Sequence, residues 1–97
     1  MKRTYRYATA DRFVVFTRPD GRVLRVPVIA GILKHPHPTE LDHLLRDERV
    51  IIKYTRLALQ KAAWPVLKQF PSDWLLECLP SAALRPSREK AIRYLLS

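Results

Sequence analysis

Ninety-seven residues, 47% of them hydrophobic, suffice for one folded domain over residues 1–97 with a real core, and leave no room for several. Eighteen Lys and Arg against nine Asp and Glu give a net charge of +9, an excess that attracts polyanions at long range. No run of about 18 apolar residues is present to span a membrane, and the single cysteine excludes an internal disulfide and a cysteine-based zinc site.

In the opening MKRTYRYATADRF the charges lead into no apolar h-region, so an intracellular, cytoplasmic location is expected. The chain has no Asn, two Gln, one Met and eight Pro. Few thermolabile residues and stiffened loops suit a thermophilic source, although a GC-rich mesophile genome gives the same bias.

Residues 3–28 read as an antiparallel meander or hairpin. Thr4 to Thr9 alternates, with Tyr5 and Tyr7 on one face and Arg6 on the other. RFVVFTR and RVLRVPV are rich in aromatic and β-branched residues. Between them stands Pro19-Asp20-Gly21, where proline presets the first turn position and glycine takes the left-handed one. This predicts a three-residue loop with a bulge. Its register sets Arg18 opposite Arg22, Phe16 opposite Leu24 and Val14 opposite Val26, with the last two pairs turned to the core. Phe13, Val15, Thr17, Val23 and Arg25 fall on the other face, and Pro27, which cannot donate to a ladder, belongs on an edge.

Residues 34–38, KHPHP, form a stiff linker. One long helix is expected from about 39 to 64, started by a Thr39/Asp42 capping box, with an alternative break near Asp47-Glu48. Leu41, Leu44, Leu45, Ile52, Leu59 and Ala63 give it an apolar stripe. Arg46, Arg49, Lys53, Arg56 and Gln60 give it a basic one. Pro65 interrupts the pattern. Shorter helices are expected near 72–79 and 86–96; in the latter Ile92, Leu95 and Leu96 pack while Arg88, Lys90 and Arg93 face out. The fold class is α+β.

Chemistry is harder to find. His35, His37 and His43 offer an H-x-H pair with no evident third ligand, so a proline-stiffened linker is the better reading and no metal or other cofactor is expected. The helix acids have basic neighbours at helical spacing, and no catalytic triad or glycine-rich phosphate loop is visible. The protein is therefore read as not an enzyme.

The basic stripe carries more. Arg46, Arg49, Lys53 and Arg56 cover roughly 15 Å at 1.5 Å per residue, which matches several successive phosphates. Arg18, Arg22 and Arg25 on the hairpin, with Lys2, Arg3 and Arg6 at the start, form a second basic group, with the hairpin as a wing beside the helix. The seven residues on the helix and the hairpin are the candidate nucleic-acid contacts, with DNA favoured over RNA and a regulatory or packaging role. A helix-turn-helix over residues 73–96 is disfavoured by its long connection, PSAALR. Stacking of bases on Tyr5, Tyr7, Phe13 and Phe16 lacks a supporting motif. The alternative is a protein-interaction module, an accessory or inhibitor protein of viral or mobile-element origin. Its basic face would bind an acidic protein partner, or a region around Trp64, Phe70, Trp74 and Leu75 would pair the chain with itself as a homodimer. A continuous basic ridge favours the first reading; an exposed apolar patch rimmed with arginine favours the second.

Overall fold

The computed structural model describes residues 12–29, 32 and 45–97. The basic residues Lys2, Arg3 and Arg6, the expected segment at 4–9, the histidine linker, the Thr39/Asp42 cap and the part of the expected helix at 39–44 lie outside those residues.

The hairpin forms as its turn chemistry requires. Strands β1 (Arg12–Thr17) and β2 (Val23–Val28) pair antiparallel, with Phe16 opposite Leu24 and Val14 opposite Val26. The Arg18 amide donates to the Arg22 carbonyl at 2.7 Å and the Gly21 amide to the Arg18 carbonyl at 2.9 Å. Gly21 sits at φ 92°, a left-handed conformation that a side chain would strain, although open space surrounds the position where a Cβ would stand. The Asp20 carboxylate accepts from the Arg22 amide at 2.9 Å and pins the loop. Phe16, Leu24 and Val26 are buried, so the expected inner face is the inner face.

Helix α1 (Glu48–Lys61) is shorter than the 39–64 span. It starts where Asp47, in extended conformation, accepts the Arg49 amide at 2.9 Å and so caps the first turn. It stops at Lys61 because Pro65 would have no N–H for the Lys61 carbonyl and its ring would clash there. Ala62 and Ala63 are extended, and the chain re-enters a single turn, α2 (Trp64–Leu67). Then come α3 (Ser72–Cys78), a 3-10 turn (Leu79–Ser81) forced by Pro80, and α4 (Pro86–Leu96). The α+β class and both C-terminal helices match expectation.

The buried face of α1 is Ile51, Tyr54, Thr55, Ala58 and Leu59. Of the expected apolar stripe, Leu45 and Leu59 are buried, Ile52 and Ala63 are half-buried, and Leu41 and Leu44 lie outside the described residues; Ile51, Tyr54, Thr55 and Ala58 were not in it. Two of the true core residues are polar, and each is satisfied. The Tyr54 hydroxyl accepts from the Ile29 amide at 2.7 Å and donates to the Pro27 carbonyl, tying the exit of β2 to α1. Thr55 donates to the Ile51 carbonyl at 2.7 Å and accepts from the Trp74 indole N–H at 2.8 Å, tying α1 to α3. Phe70, Trp74 and Leu75 are core, whereas Trp64 is partly exposed. Of the proposed self-association region, then, only Trp64 is open. Cys78 is buried, and desolvation, reinforced by Glu77, pushes its thiol up to about 11, which makes it an inert apolar filler at neutral pH.

Candidate nucleic-acid interface

The seven candidate contacts separate into two groups. Arg49, Lys53 and Arg56 fall at steps of four and three on α1 and are all exposed, as is Arg46 in the turn before it. Arg49 has a side chain 93% exposed and only a long 3.9 Å approach to Asp47. Arg46, Lys53 and Arg56 pair with no carboxylate among the described residues. The far end of this face is anchored: Arg56 Nε donates to Ser81 Oγ at 2.9 Å, and Gln60 Nε2 to the Ala82 carbonyl at 2.6 Å. These contacts hold the ridge in one orientation against the 3-10 turn.

The hairpin arginines behave differently. Arg18 meets Glu77 in a two-pronged pair, Nη1 to Oε2 at 2.9 Å and Nη2 to Oε1 at 2.8 Å, and its guanidinium lies 5.1 Å from the centre of the Trp74 ring. Its side chain is only 14% exposed. Arg22 lies 3.1 Å from Asp20, 3.6 Å from Asp73 and 3.8 Å from Glu77. The two are thus neutralised in place and do not form an open basic wing. Their role is to dock the hairpin tip on α3. Arg25 stays exposed, but on the outer face, stacked 3.7 Å over Phe13.

Hydrogen bonding from Arg18 holds the Glu77 carboxyl below its usual range, and the Arg22 amide does the same for Asp20. The stabilisation from a depressed carboxylate is present above its unfolded pKa and is lost as pH falls through the folded one. Glu77→Gln is therefore expected to destabilise the fold modestly near pH 7, since the pair is half-exposed, and to have no effect near pH 2, roughly where carboxylates are protonated in both states. Urea unfolding of both proteins at the two pH values tests this. An equal gap at both would show that packing, not charge, connects Glu77 to the hairpin.

A further basic element was not grouped by the sequence reading. A groove of about 380 Å³ is lined by Lys61 at the end of α1, Leu84 and Arg85 before α4, and Ser87 and Arg88 in its first turn. Arg88, expected to face out, turns inward. Its Nε donates to the Leu59 carbonyl at 2.6 Å and its Nη2 to the Ala62 carbonyl at 2.7 Å, while the guanidinium lies 4.9 Å from the Trp64 ring centre. It thereby satisfies the open C-terminus of α1 from another helix. Between α3 and α4 lie the 3-10 turn and residues 82–85, and Arg93 pairs with Glu89 at 2.9 Å on α4 itself.

Among the described residues the acids are thus segregated. Asp20, Asp73 and Glu77 gather at the hairpin tip, Glu89 sits on α4, and Asp47 and Glu48 stand at the start of α1. On the outer face of α1 beyond its first turn every charged group is a cation. Among the described residues no three His, Cys, Asp or Glu side chains gather as a metal site, and no helix is long and apolar enough to cross a membrane. Comparison with known proteins finds no matching protein family, no similar curated protein and no similar solved structure.

Proposed function

We propose that this protein binds nucleic acid, DNA ahead of RNA, by contacts from one helix face to the phosphate backbone, in a regulatory or packaging role. The observation that carries this reading is the α1 ridge of Arg49, Lys53 and Arg56, which projects into solvent with almost no carboxylate paired to it among the described residues, with Arg46 exposed in the turn before it. Arg18 and Arg22 are not part of the proposed contact set, because Glu77, Asp73 and Asp20 hold them. A cation already paired with a carboxylate has to lose that partner before it can serve a phosphate. Nothing on the ridge is arranged to read base edges, so binding is expected to be insensitive to sequence.

Fluorescence anisotropy with a mixed-sequence duplex across a salt series tests the proposal. Each phosphate neutralised contributes about 0.9 to the slope of log affinity against log salt. The Arg49→Ala/Lys53→Ala pair is expected to weaken binding about tenfold or more at low salt and to reduce the slope by about 1.8. A wild-type protein that ignores duplex DNA and single-stranded RNA at low salt would end the proposal.

One observation favours a second reading. Val15 and Val23, each 61% exposed, share the outer face of the hairpin with Phe13 and Arg25. This is an apolar patch with an arginine on it, the surface expected of a protein-interaction module. Failure of nucleic-acid binding would move attention to that face, with an acidic protein or a second copy of the chain as its partner.

A further inference from the structure

The groove at the end of α1 differs from the ridge in shape, and the difference bears on which phosphate each receives. The ridge is the convex side of a helix, open to a backbone that passes along it. The groove is concave. At about 380 Å³ it equals some twelve waters at about 30 Å³ each, room for a phosphate together with its sugar.

Its walls are cationic. Lys61, Arg85 and Arg88 are the titratable groups that line it, and no carboxylate does. Lys61 and Arg85 pair with no acid among the described residues and are exposed at the rim. Arg88 is held behind them by the Leu59 and Ala62 carbonyls. Burial lowers its pKa with no carboxylate to offset it. The two carbonyls supply partial negative charge, whereas an anion in the groove would supply a full one. Ser87 adds a hydroxyl donor.

The groove is also continuous with the ridge. Gln60 closes the Arg49–Lys53–Arg56 face and is itself part of the groove wall. From Arg49 to Lys61 the helix rises about 18 Å, which matches about five nucleotides at 3.4 Å per step. A strand laid along the ridge therefore arrives at the groove. Inside a strand each phosphate is a diester with one charge. At a strand end a phosphomonoester has three unbridged oxygens and nearly two charges above about pH 6. An end can enter a concave site without the chain having to leave again on the other side.

We propose that the groove is a subsite for the terminal phosphate of a nucleic-acid strand whose internal phosphates lie along Arg49, Lys53 and Arg56. This rests on the nucleic-acid reading above and adds end recognition to it.

The test compares short duplexes of one mixed sequence that carry 5′-phosphate, 3′-phosphate or hydroxyl ends, titrated by anisotropy at about pH 7.5 and again at about pH 5.5, on either side of the second phosphate pKa. Wild-type protein is expected to prefer one phosphorylated end about tenfold over hydroxyl ends at the higher pH and to lose most of that preference at the lower. Whichever end is preferred gives the polarity of the strand. Lys61→Ala/Arg85→Ala, two exposed positions, is expected to abolish the preference while hydroxyl-ended duplex still binds within about threefold of wild type. Arg49→Ala/Lys53→Ala should lower affinity for all three duplexes and keep the preference. Equal binding of all three by wild type would overturn the subsite and leave the ridge standing. A preference that survives Lys61→Ala/Arg85→Ala would overturn its assignment to this groove. Absence of binding to any duplex would overturn the ridge and the subsite together.

Discussion

Tyr54→Phe is expected to destabilise the protein by about 2–4 kcal/mol, although it removes a single oxygen atom. The ring stays, with its volume and its tilted contact to Phe70 at 6.3 Å, so no cavity larger than a hydroxyl opens. What is lost is the bridge from α1 to the end of the hairpin. The hydroxyl accepts from the Ile29 amide and donates to the Pro27 carbonyl, and Pro27, Ile29 and Tyr54 are all buried. Phenylalanine leaves one donor and one acceptor without partners, and each unsatisfied buried group costs about 1–3 kcal/mol. For a domain this size, about 1 kcal/mol shifts the melting temperature by roughly 4–8 °C, so a fall of about 8–32 °C follows. Urea unfolding and a thermal melt both measure it. The alkaline limb gives a further check. Burial raises the Tyr54 phenol pKa, so its contribution is complete below the unfolded value of about 10 and is lost progressively above it. The gap between wild type and Tyr54→Phe should narrow there. A neutral-pH difference under about 1 kcal/mol would mean that the backbone at 27–29 finds other partners.

The same residue shows where local pattern stops being informative. The hairpin was readable because its determinants are local. Pro19-Asp20-Gly21 dictates the loop, the loop dictates the register, and a period of two then assigns Phe16 and Leu24 to the core. The two C-terminal helices were readable for a similar reason, each opening close to a proline. The core face of α1 was not, because its phase depends on where the helix starts. Asp47 sets that start by capping Arg49, and the sequence offered a break there only as the alternative to one long helix. Tyr54 and Thr55 also sit in the core as hydrogen-bonding residues whose partners, Ile29, Pro27 and Trp74, lie 19 to 27 positions away.

The candidate site divides along the same line. Periodicity alone placed Arg49, Lys53 and Arg56 on one exposed face, and periodicity is a property of the helix itself. Whether an arginine is free, however, depends on what reaches it. Glu77 is 59 positions from Arg18, and the Leu59 carbonyl is 29 from Arg88. In an arginine-rich chain the structural and the available guanidinium groups look alike until those distant partners are known. Lys61 and Arg85 pose the converse case: neither belongs to a stripe, and only the fold brings them to one groove.

Arg88→Met separates a structural arginine from a binding one. Methionine keeps an unbranched apolar stem of similar reach, so packing against Trp64 is largely retained while the guanidinium is removed. The Leu59 and Ala62 carbonyls then have no donor from α4. They belong to the open C-terminus of α1, which has no following turn to satisfy them because Pro65 ends the helix. Hydrogen bonds from a charged donor contribute about 1.5–3 kcal/mol each, and removal of both is expected to cost about 2–4 kcal/mol after partial access of water to the half-buried site. The loss should concentrate at the junction of α1 and α4. Amide hydrogen exchange is expected to quicken in the last turn of α1 and the first turns of α4 ahead of the hairpin. Arg88→Lys should recover only part of the stability, since a single ammonium cannot span two carbonyls with the planar fork that Arg88 presents to them. Full recovery by lysine would mean that charge at the helix end, rather than the paired hydrogen bonds, is what α1 requires. A stability change under about 0.5 kcal/mol in Arg88→Met would show that Arg88 is dispensable to the fold.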